Sequence, residues 1–134
     1  MFQILIVEDD KNTRKLMEAV LKENGYYPIP AKDGMEALRL LDTCHIDLVI
    51  MDIMLPGLDG YELTRQLRET HFSLPILMVT AKQLPEDKKK GFIVGTDDYM
   101  IKPVDEEEMI LRIKALLRRA QIVNEHRITL GPVV

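Results

Sequence analysis

The chain has 134 residues, 46% of them apolar and 30% charged, with a formal net charge of −4. This is ordinary for one soluble globular domain with a real core, and the acidic balance speaks against a nucleic-acid grip by these residues. No apolar run approaches the ~20 residues that a membrane span requires. Met1-Phe2-Gln3-Ile4 passes straight into a strand-like run, with no basic n-region or cleavable apolar segment, so a cytoplasmic location is expected. The single cysteine, Cys44, excludes an internal disulfide, fits a reducing compartment and reads as a small packed side chain.

Short apolar runs alternate with segments of helical period. Ile4-Leu5-Ile6-Val7 reads as a buried strand, and Leu16, Met17, Val20 and Leu21 follow at helical spacing, with Gly25 as the stop. A second strand is predicted from Tyr27 to Ala31, and Pro28 and Pro30 push it to a sheet edge. Asp33 can cap the next helix, whose stripe includes Ala37, Leu38 and Leu41. Leu48-Val49-Ile50-Met51 is the third strand, Tyr61 to Arg68 the third helix, and Ile76-Leu77-Met78-Val79 the fourth strand. A Lys-rich helix is predicted from about Glu86 to Val94, then a short strand, Tyr99-Met100-Ile101.

The last helix opens with capping-box spacing between Asp105 and Glu108. Its apolar stripe is Met109, Ile110, Ile113, Leu116 and Leu117, and Arg118-Arg119 fall near its last turn. Five continuous apolar strands alternating with five helices imply a doubly wound α/β sandwich around a parallel sheet.

In such sheets, ligands bind beyond the carboxyl ends of the strands. After Val7 come Glu8, Asp9 and Asp10; after Met51 comes Asp52; after Val79 comes Thr80; after Ile101 comes Lys102. Singly, each has a plain explanation. Asp9 or Asp10 can cap the first helix, Asp52 can open a turn before Pro56-Gly57, Thr80 can cap a helix, and Lys102 can be a solvated charge. Jointly, the acids Glu8, Asp9 and Asp52, a hydroxyl and an ammonium on one sheet edge suit the holding of a divalent cation and a phosphoryl group. Clustered carboxylates resist ionisation without a counter-charge, which a hard cation such as Mg²⁺ supplies. Phosphoryl transfer in turn requires its equatorial oxygens to be neutralised while an Asp52 oxygen attacks in line.

A dehalogenase-type phosphotransferase would need a second acid two residues beyond Asp52, where Met54 stands. A dinucleotide site would need a glycine-rich turn where Glu8-Asp9-Asp10 stands. His45, His71 and His126 have no ligand spacing and read as structural or surface residues.

Val-Glu-Asp-Asp at 7–10, Met-Asp-Ile-Met-Leu-Pro-Gly at 51–57, Val-Thr-Ala-Lys at 79–82 and Gly-Thr-Asp-Asp-Tyr-Met-Ile-Lys-Pro at 95–103 resemble the receiver domains of two-component response regulators, in order and at the family's spacing. The likeness covers roughly nine tenths of the chain. It implies a flavodoxin-like fold with five helices and strand order 2-1-3-4-5. It also implies a signalling switch rather than a classical enzyme, catalysing only its own phosphorylation and slow dephosphorylation.

A sensor histidine kinase would phosphorylate Asp52. Mg²⁺ would be bound by Asp9, Asp52 and the backbone carbonyl of Met54, with Glu8 acting through water. Lys102 would contact the phosphoryl group, and Thr80 would move towards it. Tyr99, half-buried at rest, would turn inward into the space Thr80 leaves. A cis bond is expected before Pro103.

The last third resembles the OmpR/PhoB class, whose activated receivers pair through the fourth helix, fifth strand and fifth helix. The matching charge pairs are Lys88 with Glu108, Asp98 with Arg112 and Asp97 with Arg119, around an apolar centre of Phe92 and Ile110. Lys89 stands where that centre is usually apolar, Thr96 where Ala is usual, and Val104 where Phe is usual. A homodimer on phosphorylation is therefore expected, weaker than the family norm.

Residues 1–120 are read as the receiver, 121–127 as a linker, and Arg127 to Val133 as the first strand of a winged-helix DNA-binding domain, absent from this chain. The alternative is a free-standing receiver acting on a partner protein.

Overall fold

The structure, a computed structural model, describes residues 1–71, 73–81 and 95–130, with side chains for all of these except Thr80 and residues 122–130. In chain order the elements are β1 (Gln3–Val7), α1 (Lys11–Glu23), β2 (Tyr27–Ala31), α2 (Gly34–Thr43), β3 (Leu48–Met51), α3 (Gly60–Thr70), β4 (Ile76–Thr80), β5 (Asp98–Ile101) and a C-terminal helix, Glu106–Leu130. The helix expected over 86–94, with Lys88, Lys89 and Phe92, lies outside the described residues.

The five strands form one parallel sheet in the order β2-β1-β3-β4-β5. The proline-bearing β2 is an edge, where a missing N–H costs least. Because strand side chains alternate between faces, the continuous apolar runs divide into two cores. Leu5, Val7, Val49, Met51, Ile76 and Met78 face α2 and α3, packing with Ala37, Leu41, Leu63 and Leu67. Ile4, Ile6, Leu48, Ile50, Leu77 and Val79 face α1 and the C-terminal helix, packing with Met17, Val20, Leu21, Met109, Ile113 and Leu117.

Acids begin the helices. Asp10, Asp33 and Asp59 accept main-chain N–H groups of Thr13, Glu36 and Glu62, and Asp105 accepts that of Glu108. Each such cap stabilises its helix by about 1 kcal/mol.

Three expectations change. Leu16, placed in the α1 stripe, is 56% exposed, because the buried arc of that helix is centred on Met17, Val20 and Leu21. Ile110, assigned to the centre of a dimer surface, is only 6% exposed and belongs to the α1-side core; the helix turns Leu111 outward instead. The C-terminal helix runs through residues 121–127, read as a linker, and through Arg127 to Leu130, read as strand. No glycine or proline interrupts it before Gly131-Pro132, so nothing in its backbone favours stopping sooner.

Thr96, at the position where Ala is usual, is buried, and its hydroxyl lies within donating distance of the carbonyl oxygens of Ile76 (3.1 Å) and Asp98 (2.9 Å), tying β4 to β5. Among the described residues no helix is long and apolar enough to cross a membrane.

Candidate phosphoacceptor site

The parallel register carries the strand ends to one edge of the sheet. The N–H of Glu8 bonds the carbonyl of Ala31 (3.1 Å) and that of Asp52 bonds the carbonyl of Val7 (3.0 Å), so both acids continue the ladder. Glu8 and Asp52 are 2% and 7% exposed, whereas Asp9 is exposed. One carboxylate oxygen from each of Glu8, Asp9 and Asp52 lies within 4.8 Å of the others.

Lys102 arrives from the end of β5. Its Nζ donates to Glu8 Oε1 at 2.5 Å and to Asp52 Oδ2 at 2.8 Å. The remaining oxygens are also engaged: the Asp10 N–H reaches Glu8 Oε2 (3.2 Å), and the Met54 N–H reaches Asp52 Oδ1 (3.1 Å). Desolvation pushes the Glu8 carboxyl above its ordinary range; the Lys102 and Asp10 hydrogen bonds oppose that shift, and the Asp52 charge adds to it. At Lys102 burial works against the charge, but bonds to Asp52 and Glu8 outweigh it and raise the ammonium's pKa.

This donor set suits a hard divalent cation: three carboxylate oxygens converge, with no sulfur or imidazole among them. The peptide bond before Pro103 is cis, as expected. Thr80 ends β4 in register with Ile101, on the same edge. Tyr99 is 7% exposed in the α2–α3 core, so its side chain is buried rather than half-buried.

Beside Lys102 opens a groove of about 500 Å³ between α1 and the C-terminal helix, lined by Leu16, Met17, Val20, Pro103, Val104 and Met109. Four of the charges expected to pair between copies, Asp97, Asp98, Glu108 and Arg112, are paired within this chain. Arg112 Nη1 donates to both Asp98 oxygens (2.9 Å each), and its Nε and Nη2 donate to Glu108. Asp97 Oδ2 accepts Arg68 Nη2 at 2.6 Å and the N–H of Ile76 at 2.8 Å. Arg119 is exposed.

Two residues that shape this edge were not singled out from sequence. Gly60 begins α3 directly against the Asp52 main chain, where a Cβ would overlap the Asp52 carbonyl oxygen; the Asp59-Gly60 pair at a helix start was the available signal. Gly95 has φ +110 and lies against the Arg68 side chain, whose Nε donates to its carbonyl oxygen at 2.8 Å.

A doubly wound sheet with clustered acids and Lys102 at its carboxyl edge has the shape of a flavodoxin-like fold. The sequence matches the response regulator receiver domain family over residues 4–114, and the chain belongs to that family. It is 45% identical over 120 residues to the alkaline phosphatase synthesis transcriptional regulatory protein PhoP of Bacillus subtilis, covering 90% of this chain and 50% of that protein. With the transcriptional regulatory protein ResD of the same organism it shares 42% over 118 residues, covering 88% and 49%. Both relatives are regulators of the OmpR/PhoB type.

Among solved structures, a Francisella response regulator receiver domain superposes with a TM-score of 0.84 at 34% identity, covering 89% of this chain and 98% of that one. A two-component response regulator from Clostridium difficile gives 0.85 at 29%, covering 89% and 98%. The chain spans about half the length of the curated relatives it matches.

Proposed function

We propose that this domain accepts a phosphoryl group on Asp52 from the histidine of a sensor kinase, with Mg²⁺ as cofactor. The observation that carries this is the convergence of Glu8, Asp9 and Asp52, with Lys102 spanning Glu8 and Asp52. Asp9, Asp52 and the Met54 carbonyl would hold the cation, and Glu8 would act through its water. Bound there, Mg²⁺ would offset the charge of the carboxylates and of the transferring oxygens.

The Asp52 carboxylate attacks phosphorus in line. An O–P bond forms as the histidine N–P bond breaks, and the imidazole keeps that electron pair. Lys102, already within hydrogen-bond reach of Asp52, pairs with a phosphoryl oxygen, and Thr80 takes another. The groove beside Lys102, with Leu16 exposed at its rim, offers the phosphodonor protein an apolar seat beside the site.

Phosphorylation would then reposition Thr80 and repack Tyr99. The surface carrying Asp97, Asp98, Glu108, Arg112 and Arg119 would pair two copies. That the relatives are transcriptional regulators about twice as long as this chain supports a DNA-binding output domain in the whole protein.

Acetyl phosphate with Mg²⁺ should add one phosphoryl mass, read by intact-protein mass spectrometry, and Asp52→Asn should abolish it. Undiminished labelling of that variant would overturn the assignment.

A further inference from the structure

Asp9 raises a question that the proposed metal site leaves open. Glu8 and Asp52 have both carboxylate oxygens held by hydrogen bonds, so their directions are over-determined. Among the described residues no hydrogen bond reaches the Asp9 carboxylate, which is exposed. Its aim therefore depends on the main chain of the turn between β1 and α1.

That turn is held from below by one side chain. Arg14, half-buried in the first turns of α1, extends Nη1 to the carbonyl oxygen of Glu8 at 2.7 Å and towards that of Asp9 at 3.4 Å. These carbonyls lie beyond the end of β1 (Gln3–Val7). The helix cap fixes the next residue: Asp10 accepts the Thr13 N–H at 2.9 Å. The two devices together clamp three consecutive residues, and Arg14 is the part that reaches the two acid-bearing peptides.

We propose that Arg14 is a positioning residue for cation binding, holding the Glu8–Asp9 main chain so that the Asp9 carboxylate converges with those of Glu8 and Asp52. The inference rests on the metal-site reading above. Its sign separates it from a charge effect. Arg14 is a cation close to a cation site, so removing its charge alone would tighten Mg²⁺ binding. Losing the clamp weakens it, because groups that orient metal ligands typically change affinity by ~10–100-fold. Arg14 acts through carbonyls rather than through ligand atoms, so the lower end, about tenfold, is expected.

The test is titration of the whole chain with Mg²⁺ alone, read as the thermal shift and by calorimetry, for the parent, Arg14→Gln and Arg14→Lys. The parent should be stabilised by Mg²⁺, Arg14→Gln should need about tenfold more, and Arg14→Lys, which retains one donor group, should fall between. A parent without any Mg²⁺ response would overturn the metal-site reading itself. A responding parent with an unchanged or tighter midpoint in Arg14→Gln would overturn the role of Arg14 alone, even if the variant melts lower at every Mg²⁺ concentration. Should Arg14→Gln fail to fold, the Lys variant carries the same decision: a parental midpoint refutes the positioning role.

Discussion

Two of the ionic clusters among the described residues are made different objects by burial. At the strand ends, Lys102 meets Glu8 and Asp52 with side-chain exposures of 22%, 2% and 8%. On the outer surface, Arg112 meets Asp98 and Glu108 at 37%, 23% and 49%. Charges withdrawn from water must be matched or they destabilise the fold, whereas exposed pairs are worth ~0–1 kcal/mol and exchange partners at little cost. On the proposed function, a cation and a phosphoryl group would change the balance of the first cluster, and the second would serve an interface that forms and dissolves.

The sharpest way to break this contrast is Lys102→Met. It leaves Glu8 and Asp52 facing each other without a counter-charge, and should cost about 2 kcal/mol at neutral pH, below the usual 3–5 because the ammonium is partly solvated. Urea titration of the metal-free protein measures it, and added Mg²⁺ should recover much of the loss. A variant as stable as its parent would mean that the ammonium brings no net stabilisation.

A smaller effect concerns pH. The folded pKa of Glu8 is raised, so its contribution to stability is fully present below the ordinary glutamate range and is lost as pH rises through the elevated value. Glu8→Gln should flatten that part of the stability–pH curve while diminishing the Mg²⁺ response. Thermal melts across mildly acidic pH would show it. A curve that keeps its slope would assign the titration to another group.

The smallest effect on stability belongs to the surface cluster. Arg112→Ala should cost under about 1 kcal/mol. Arg112→Glu should weaken association of the beryllofluoride-activated protein, and adding Asp98→Arg should partly restore it, as followed by sedimentation. If association ignores both changes, these pairs act only within one copy.

Much of the fold was legible because it is written locally. Strand Leu48–Met51 stands where its apolar run ends, since a strand buried on both faces has no polar positions. The caps at Asp33 and Asp105 were legible because the cap and the N–H it accepts lie three residues apart. Helix phase was less so: spacing alone did not reveal that Leu16 faces outward. Which arc of an amphipathic helix is buried depends on what lies against it.

The sequence by itself determined the order of the described elements as far as the start of the C-terminal helix, the parallel architecture and which acids, hydroxyl and ammonium stand at strand ends, because these follow from periodicity and near-neighbour chemistry. Only the tertiary structure decided that Lys102 bridges Glu8 and Asp52, partners 94 and 50 residues away. It alone showed Gly60 against the Asp52 carbonyl, Arg14 beneath the acid turn, and Arg68 joining the end of α3 to Gly95 and Asp97. Such contacts depend on strand register and helix rotation, and their energies arise from desolvation, which exists only once the chain has closed around the groups involved.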